Sequence, residues 1–394
     1  MIVVQGVAPT LEQKAENCFE SKNYRCAVEY FSRVIETDPK NINAFEKRGL
    51  SYFNFGSSVG SADYFDGLLT GQNTRNLDNA VADFTQAIKL NPSKAQNYFY
   101  RATAYAYGDG KDKTLFDKTI ADLTKAVSLE PQNAVYYKTR GYIYYFFRND
   151  FANAFADYDR AIALRPDHAD AYYRRGELYA NSHRLNLRHD YQKAFDDYSA
   201  AIKLEPNKED YFSARAYLYK QIKDFDAAVK DYDKLIALNP QKDRYYDDRA
   251  EIYVQKGEFE KAVKDYTKSI ALSPASHLGY LWRAKVFLQM NDFAKAHQDY
   301  QKVIEIGGEL FGCQGYDGRG AVSAKQKDFQ KALGYFEKAI ELCQYDEEFF
   351  VNRAAVYRAI GKIDLAEKDL KKAAEIKEEG RKEIERLFKG EQDN

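Results

Sequence analysis

Proline punctuates this chain at a near-constant interval: Pro39, Pro92, Pro131, Pro166, Pro206, Pro240 and Pro274, with the last two steps 34 residues each. A fixed period of this size constrains the fold more than any other feature. One such unit cannot bury its own apolar faces and must stack on its neighbours. Tyr246–Pro274 shows the unit most plainly. Tyr246-x-x-Arg249-Ala250-x-x-Tyr253 has helical spacing, and Lys256-Gly257-Glu258 makes a turn. Phe259-x-x-Ala262-x-x-Asp265-Tyr266 is a second helical run, which Pro274 stops. The unit is a helix hairpin.

With slots numbered 1 to 34 and the proline at slot 32, the columns align. Slot 4 is aromatic from Phe45 to Phe350. Slot 7 is Arg48, Arg101, Arg140, Arg175, Arg215, Arg249, Arg283, Arg319 and Arg353, and slot 8 is Gly or Ala throughout. Slot 20 is alanine except at Thr119, and slot 23 is aspartate from Asp83 to Asp369 except at Tyr335. Across a hairpin turning near slots 15 and 16, slot 7 lies close to slot 23 or 24. An Arg–Asp pair inside each repeat is therefore expected, because a guanidinium and a carboxylate tolerate partial burial only together. Of the 33 tyrosines, 18 fall in slots 4, 11 or 24, where a large ring fills space between helices, so these are read as core.

The small residues at slots 8 and 20, the aromatics at 4, 11 and 24 and the proline at 32 resemble the tetratricopeptide repeat (TPR) family. The resemblance covers about ten repeats between residues 8 and 378. It implies an all-α, right-handed superhelical solenoid of helix-turn-helix repeats, with a capping helix at about 381–389. The unbroken period reads as a single domain over 1–394. Repeat 1 is the least typical, with Leu11 and Lys14 at slots 4 and 7. Repeat 2 carries an insertion at about 56–76, rich in glycine and serine. Before repeat 9 the stop proline is replaced by Gly307-Gly308.

The resemblance further implies that slots 2, 5, 9 and 12 line a concave surface. These slots, with the one after slot 12, hold Phe99, Tyr142, Tyr145, Phe146, Tyr173 and Tyr217, beside the acids Asp170, Glu177, Asp210, Asp247 and Glu251. Solvent-facing aromatics gathered in one groove are expected to bind a peptide or protein segment with apolar and basic side chains. The alternative is an exported glycan- or small-ligand-binding solenoid using the same aromatics. The chaperone-tail binders of this family carry a lysine- and asparagine-rich clamp in these slots; Glu46 and Leu50 stand there in repeat 2, so that activity is not carried over.

Nothing points to catalysis. The histidines His168, His183, His189, His277 and His297 fall in no catalytic or metal-ligating spacing, and the loop at 108–113 has lysines where calcium ligands should alternate. No cofactor and no metal are expected. Lys plus Arg is 59 against 60 Asp plus Glu, which gives no basic field for nucleic acid, and no apolar run is long enough to span a membrane.

Four cysteines remain. Cys18 and Cys26 face each other across the turn of repeat 1, and Cys313 and Cys343 face each other at the open end of repeat 9. Packed helices bring facing Cα atoms to roughly 4–6 Å, within disulfide reach. Two disulfides are expected, with loop-entropy contributions of about 2.5 and about 3.7 kcal/mol. Disulfides imply an oxidising compartment, so a periplasmic or secreted location is favoured over the cytoplasm. The first nine residues are too short and lack the basic start of a signal peptide; they fit either the stub left after one is removed or a native start.

Overall fold

The structure, a computed structural model, describes residues 9–56, 74–108, 113–181 and 190–390. The predicted insertion in repeat 2, the loop at 108–113, and His183 and His189 lie largely or wholly outside the described residues. Every regular element among the described residues is helical. The chain divides into two compact units, residues 1–206 and 207–394.

The first unit holds five hairpins. They are α1 (Leu11–Glu20) with α2 (Tyr24–Thr37), α3 (Ile42–Gly56) with α4 (Thr74–Leu90), α5 (Ala95–Ala106) with α6 (Lys113–Leu129), α7 (Ala134–Arg148) with α8 (Phe151–Leu164), and α9 (Ala169–Ala180) with α10 (Tyr191–Leu204). The second unit holds α11 (Glu209–Gln221) with α12 (Phe225–Leu238), α13 (Asp243–Gln255) with α14 (Phe259–Leu272), α15 (His277–Gln289), α16 (Phe293–Lys325), α17 (Phe329–Leu342), and α18 (Glu347–Ala359) with α19 (Ile363–Gly390). α16 contains a kink at Gly308 (φ 55°, ψ −140°), so it supplies the second helix of repeat 8 and the first of repeat 9. The fold is an α-solenoid of ten helix-turn-helix repeats. The expected cap at 381–389 is the last part of α19, which runs on from repeat 10 as one helix of 28 residues.

The hairpins turn for local reasons. Helix A closes on a residue with positive φ: Lys22, Asn149, Lys223, Gly257, Asn291, Lys327 and Gly361. The next residue opens helix B. Asn23, Asp150, Asp224, Asp292 and Asp328 each accept a hydrogen bond from the backbone N–H three residues on, a side-chain N-cap. At the other end, the slot 4 tyrosines Tyr98, Tyr137 and Tyr246 donate their hydroxyls to the carbonyls of Pro92, Pro131 and Pro240 at 3.2–3.3 Å. That bond satisfies the polar tip of a largely packed ring. The slot 20 alanines, from Ala27 to Ala366, are fully buried. A Cβ on the slot 8 glycine Gly176 would meet the Tyr198 ring at 2.8 Å, which is the helix-to-helix approach that slot demands.

The arginine column packs inside the stack as expected. Arg48, Arg101, Arg140, Arg175, Arg215, Arg249, Arg283 and Arg353 each fork onto their own Asp, with Nη2 to Oδ1 distances of 2.7–2.8 Å. Most of these arginines also reach the preceding repeat. Nη1 donates to Ser32 from Arg48, to Thr85 from Arg101, to Thr124 from Arg140, to Asp233 from Arg249 and to Thr267 from Arg283. Burial pushes the carboxyls of Asp83, Asp157 and Asp197 up even beside their arginines, so desolvation is a real cost of these three pairs.

Removing one partner then strands the other. Asp265→Ala is expected to lower the unfolding free energy by about 3 kcal/mol, measured by urea denaturation. Arg249→Met combined with Asp265→Leu should recover most of that loss. If the single change is silent, the fork does not hold the repeat together.

Candidate functional site

Slots 2, 5, 6, 9, 12 and 13 lie on one side of the first helices. In the first unit, Lys138 Nζ lies 2.8 Å from Asp170 Oδ2. Arg174 Nε lies 3.5 Å from Asp170 Oδ1, and its Nη1 lies 3.1 Å from Glu177 Oε2. The Arg174 guanidinium also sits 5.3 Å from the Tyr142 ring centroid and 5.0 Å from that of Tyr173. Phe146 is 44% exposed and packs against Tyr142 and Tyr145, with centroids 4.5 and 4.3 Å away. Asn181 donates to the Tyr145 hydroxyl at 3.0 Å. Four of the predicted residues, Tyr142, Asp170, Tyr173 and Glu177, thus surround one guanidinium, and Phe146 and Tyr145 continue the ring cluster from Tyr142.

Two expectations are corrected here. Phe99 does not face solvent: it is 7% exposed, with its ring 5.1 Å from that of Tyr136 on the next repeat. In the first unit the two acids are also not an open lure for a basic ligand. Asp170 and Glu177 are matched by Lys138 and Arg174, two negative charges against two positive. Burial pushes the Asp170 carboxyl up, but Lys138 and Arg174 outweigh it and the net shift is downward. Burial leaves Glu177 shifted up despite Arg174, and holds the Tyr173 hydroxyl well above its usual range. Burial, then the Lys138 charge, lowers His168 to about 4, so its imidazole is neutral at physiological pH.

In the second unit, Tyr217 is 59% exposed. Asp210 is exposed, and Glu251 pairs with Lys220 at 2.6 Å. Asp247 is half-buried, and burial pushes its carboxyl up to about 6, with Asp243 and Asp248 adding to the shift against a hydrogen bond from Ser269. Sequence reasoning missed Trp282, the chain's single tryptophan, which is 42% exposed with Lys285 Nζ 4.7 Å from its ring centroid. It also missed the half-buried Asp317, which accepts from Asn352 Nδ2 at 2.9 Å and whose carboxyl burial pushes up to about 7.

No group of three or more His, Cys, Asp and Glu side chains among the described residues is placed to hold a metal ion. Among the described residues, no helix is long and apolar enough to cross a membrane. Cys18 and Cys26 lie at disulfide distance with Cα atoms 5.6 Å apart, and so do Cys313 and Cys343 at 6.0 Å.

Two repeat models match the sequence. One, described as TPR repeat, covers residues 145–182 and 250–291; the other, described as Tetratricopeptide repeat, covers 69–94, 210–242 and 347–379. The chain belongs to the tetratricopeptide repeat family. This TPR chain is 45% identical over 56 residues to Hsp70-Hsp90 organizing protein 1 of Glycine max, which is 14% of this chain and 10% of that protein. It is 43% identical over 58 residues to Hsp70-Hsp90 organizing protein 3 of Arabidopsis thaliana, again over 10% of that protein. The chain therefore spans about a tenth of the length of these curated relatives. Among solved structures it is similar to a tetratricopeptide repeat protein from Parabacteroides merdae at 19% identity, with a TM-score of 0.44, covering 72% of this chain and 99% of that one. It is also similar to yeast Tom70 at 18% identity, with a TM-score of 0.41, covering 93% of this chain and 91% of that one.

Asp317 supplies a pH test of this TPR stack. Its folded value of about 7 lies above the ordinary carboxyl value of 3.8, so the folded state binds the proton more tightly than the unfolded state. The associated stability is present below about pH 4 and is lost as pH rises through 7. Asp317→Asn is expected to raise the thermal midpoint at pH 8 and leave it near the parent's at pH 4, measured by circular dichroism.

Proposed function

We propose that this protein is a non-catalytic scaffold that holds a peptide or protein segment against the concave face of its first helices, with one contact site around Phe146, Tyr142 and Tyr145. The observation that carries this reading is Phe146: a phenylalanine 44% exposed on a helix face, backed by two tyrosine rings that fix its position. The nearby charges are already paired with each other, so the favoured ligand presents apolar or aromatic side chains to these rings. The curated relatives are named for Hsp70 and Hsp90. That partnership is not adopted for this chain, because Glu46 is 9% exposed and is held by Lys94 at 2.6 Å and Asn97 at 2.9 Å. It presents a used carboxylate where a clamp for an acidic tail needs cations.

Export is the second part of the reading. All four cysteines stand as two pairs at disulfide distance, which suits an oxidising compartment.

Peptides selected from a random display library on the parent protein should bind Phe146→Ser at least tenfold more weakly, a loss of about 1.4 kcal/mol or more, in fluorescence anisotropy. Equal binding would place the contact elsewhere. Separately, thiol titration of denatured, unreduced protein should find no free thiol; four would remove the argument for export.

A further inference from the structure

The second unit carries an apolar surface away from the slots considered so far. Leu310 is 77% exposed and Tyr345 76%, with Phe311 and Leu342 also exposed. Four exposed large apolar side chains are unusual on two short stretches of a soluble chain. They come together at one edge of repeat 9. The Sγ atoms of Cys313 and Cys343 both lie 3.9 Å from the Leu310 carbonyl, which sets Leu310 beside the turn carrying Leu342 and Tyr345. The Phe311 ring stacks on His277, with centroids 4.4 Å apart and planes at 14°, which extends the patch to repeat 8. Repeats 1 to 7 end in a proline turn; here α16 passes through the Gly308 kink, with Leu310 and Phe311 following directly, and Gln344 stands at the proline slot of repeat 9.

The surrounding charge is mostly negative. Residues 303–317 contain three carboxylates and residues 339–352 contain four, with no lysine or arginine inside either segment; Glu305 is paired with Lys302 at 2.7 Å, which leaves six. Residues 272–281, around His277, contain no charged residue. Glu309 and Glu341 are exposed at the patch rim. Whereas the acids of the first unit's site are matched by Lys138 and Arg174, these two segments supply no cation of their own. An apolar centre with an unbalanced acidic rim selects an apolar partner that brings positive charge, and repels anionic lipid.

We infer that the patch of Leu310, Phe311, Leu342 and Tyr345 is a second docking surface, and that its occupant is a segment of another polypeptide that combines an apolar stripe with lysine or arginine. The apolar side chains supply affinity on the patch, and the rim selects against acidic segments.

The test uses the full chain and a fluorescein-labelled, 18-residue amphipathic peptide of leucine and lysine, read by anisotropy in 50 mM NaCl. A leucine–glutamate peptide of the same pattern is the counter-probe. The parent is expected to bind the cationic peptide. Leu310→Ser/Tyr345→Ser should bind it at least tenfold more weakly with unchanged far-ultraviolet circular dichroism. Glu309→Gln/Glu341→Gln should bind severalfold more weakly at 50 mM NaCl and equal the parent at 500 mM. Phe146→Ser should bind as the parent does, which separates this surface from the concave contact. Equal binding by parent and Leu310→Ser/Tyr345→Ser would overturn the inference, as would equal binding of the acidic peptide. So would a parent dimer in sedimentation that Leu310→Ser/Tyr345→Ser converts to monomer, since a second copy would then be the occupant.

Discussion

The stack depends on the arginine at slot 7. Except for Arg319, each of these guanidiniums has three obligations: a bidentate bond to its own repeat's aspartate, a bond in most cases to the preceding repeat, and an aromatic ring for one face. Arg101 shows the same set with Asp122, Thr85 and Tyr98. A buried ion pair of this kind is weak evidence of net stability, because desolvation consumes much of the attraction. Its value here is positional. A slip of one residue in either helix would leave a guanidinium and a carboxylate buried without partners, so the pair fixes the register of the hairpin. The third bond transmits that register from one repeat to the next. This explains why three separate columns, at slots 4, 7 and 23, hold their character together.

Repeat 9 shows what happens when one member changes. Tyr335 stands where the aspartate should be. Arg319 donates to its hydroxyl at 2.7 Å and to Gln301, and its Nε has no partner. The same repeat has glycines where its neighbours carry side chains. A Cβ on Gly318 would fall 2.1 Å from the Tyr300 ring, and one on Gly315 would fall 2.6 Å from Tyr300 O and from Ile304 Cγ1. The first helix of repeat 9 therefore approaches α16's earlier half at backbone distance, closer than any side chain permits. Close approach, the Gly308 kink and the exposure of Leu310 and Phe311 belong to one local departure from the common repeat.

Much of this was legible in the residues, because helical periodicity ties slot to direction. The Arg–Asp forks and the facing cysteines follow from which slots meet across one hairpin. What was not legible turns on angle. At about 100° per residue, slots 12, 5, 9, 2, 13 and 6 fall at about 120°, 140°, 180°, 200°, 220° and 240° around the helix. The exposed aromatics occupy the far part of that range: Tyr217 at slot 9, Phe146 at slot 13 and Trp282 at slot 6. The near part leans on the next repeat. Phe99 at slot 5 is covered by Tyr136, and Lys138, Asp247 and Asp317 at the same slot are half-buried. Val351, also at slot 5, is 42% exposed, and among the described residues no first helix follows its repeat. A rule that treated four slots as equally open therefore admitted Phe99 and overlooked Arg174 and Trp282.

Arg174 also decides how a ligand could use the first unit's face. It lies 12% exposed between two rings and two carboxylates, and Asp170 has Lys138 as a second cation. Pulling one charge out of such a network strands its partner, at a cost of about 3–5 kcal/mol. A new aromatic contact on Phe146 returns about 0.5–1.5 kcal/mol beyond its buried area. The balance favours ligands that leave the network closed and lie across the rings. The charges act as supports around Tyr142 and Tyr173, and under the proposed function selectivity would fall to the shape of the aromatic surface instead of its net charge.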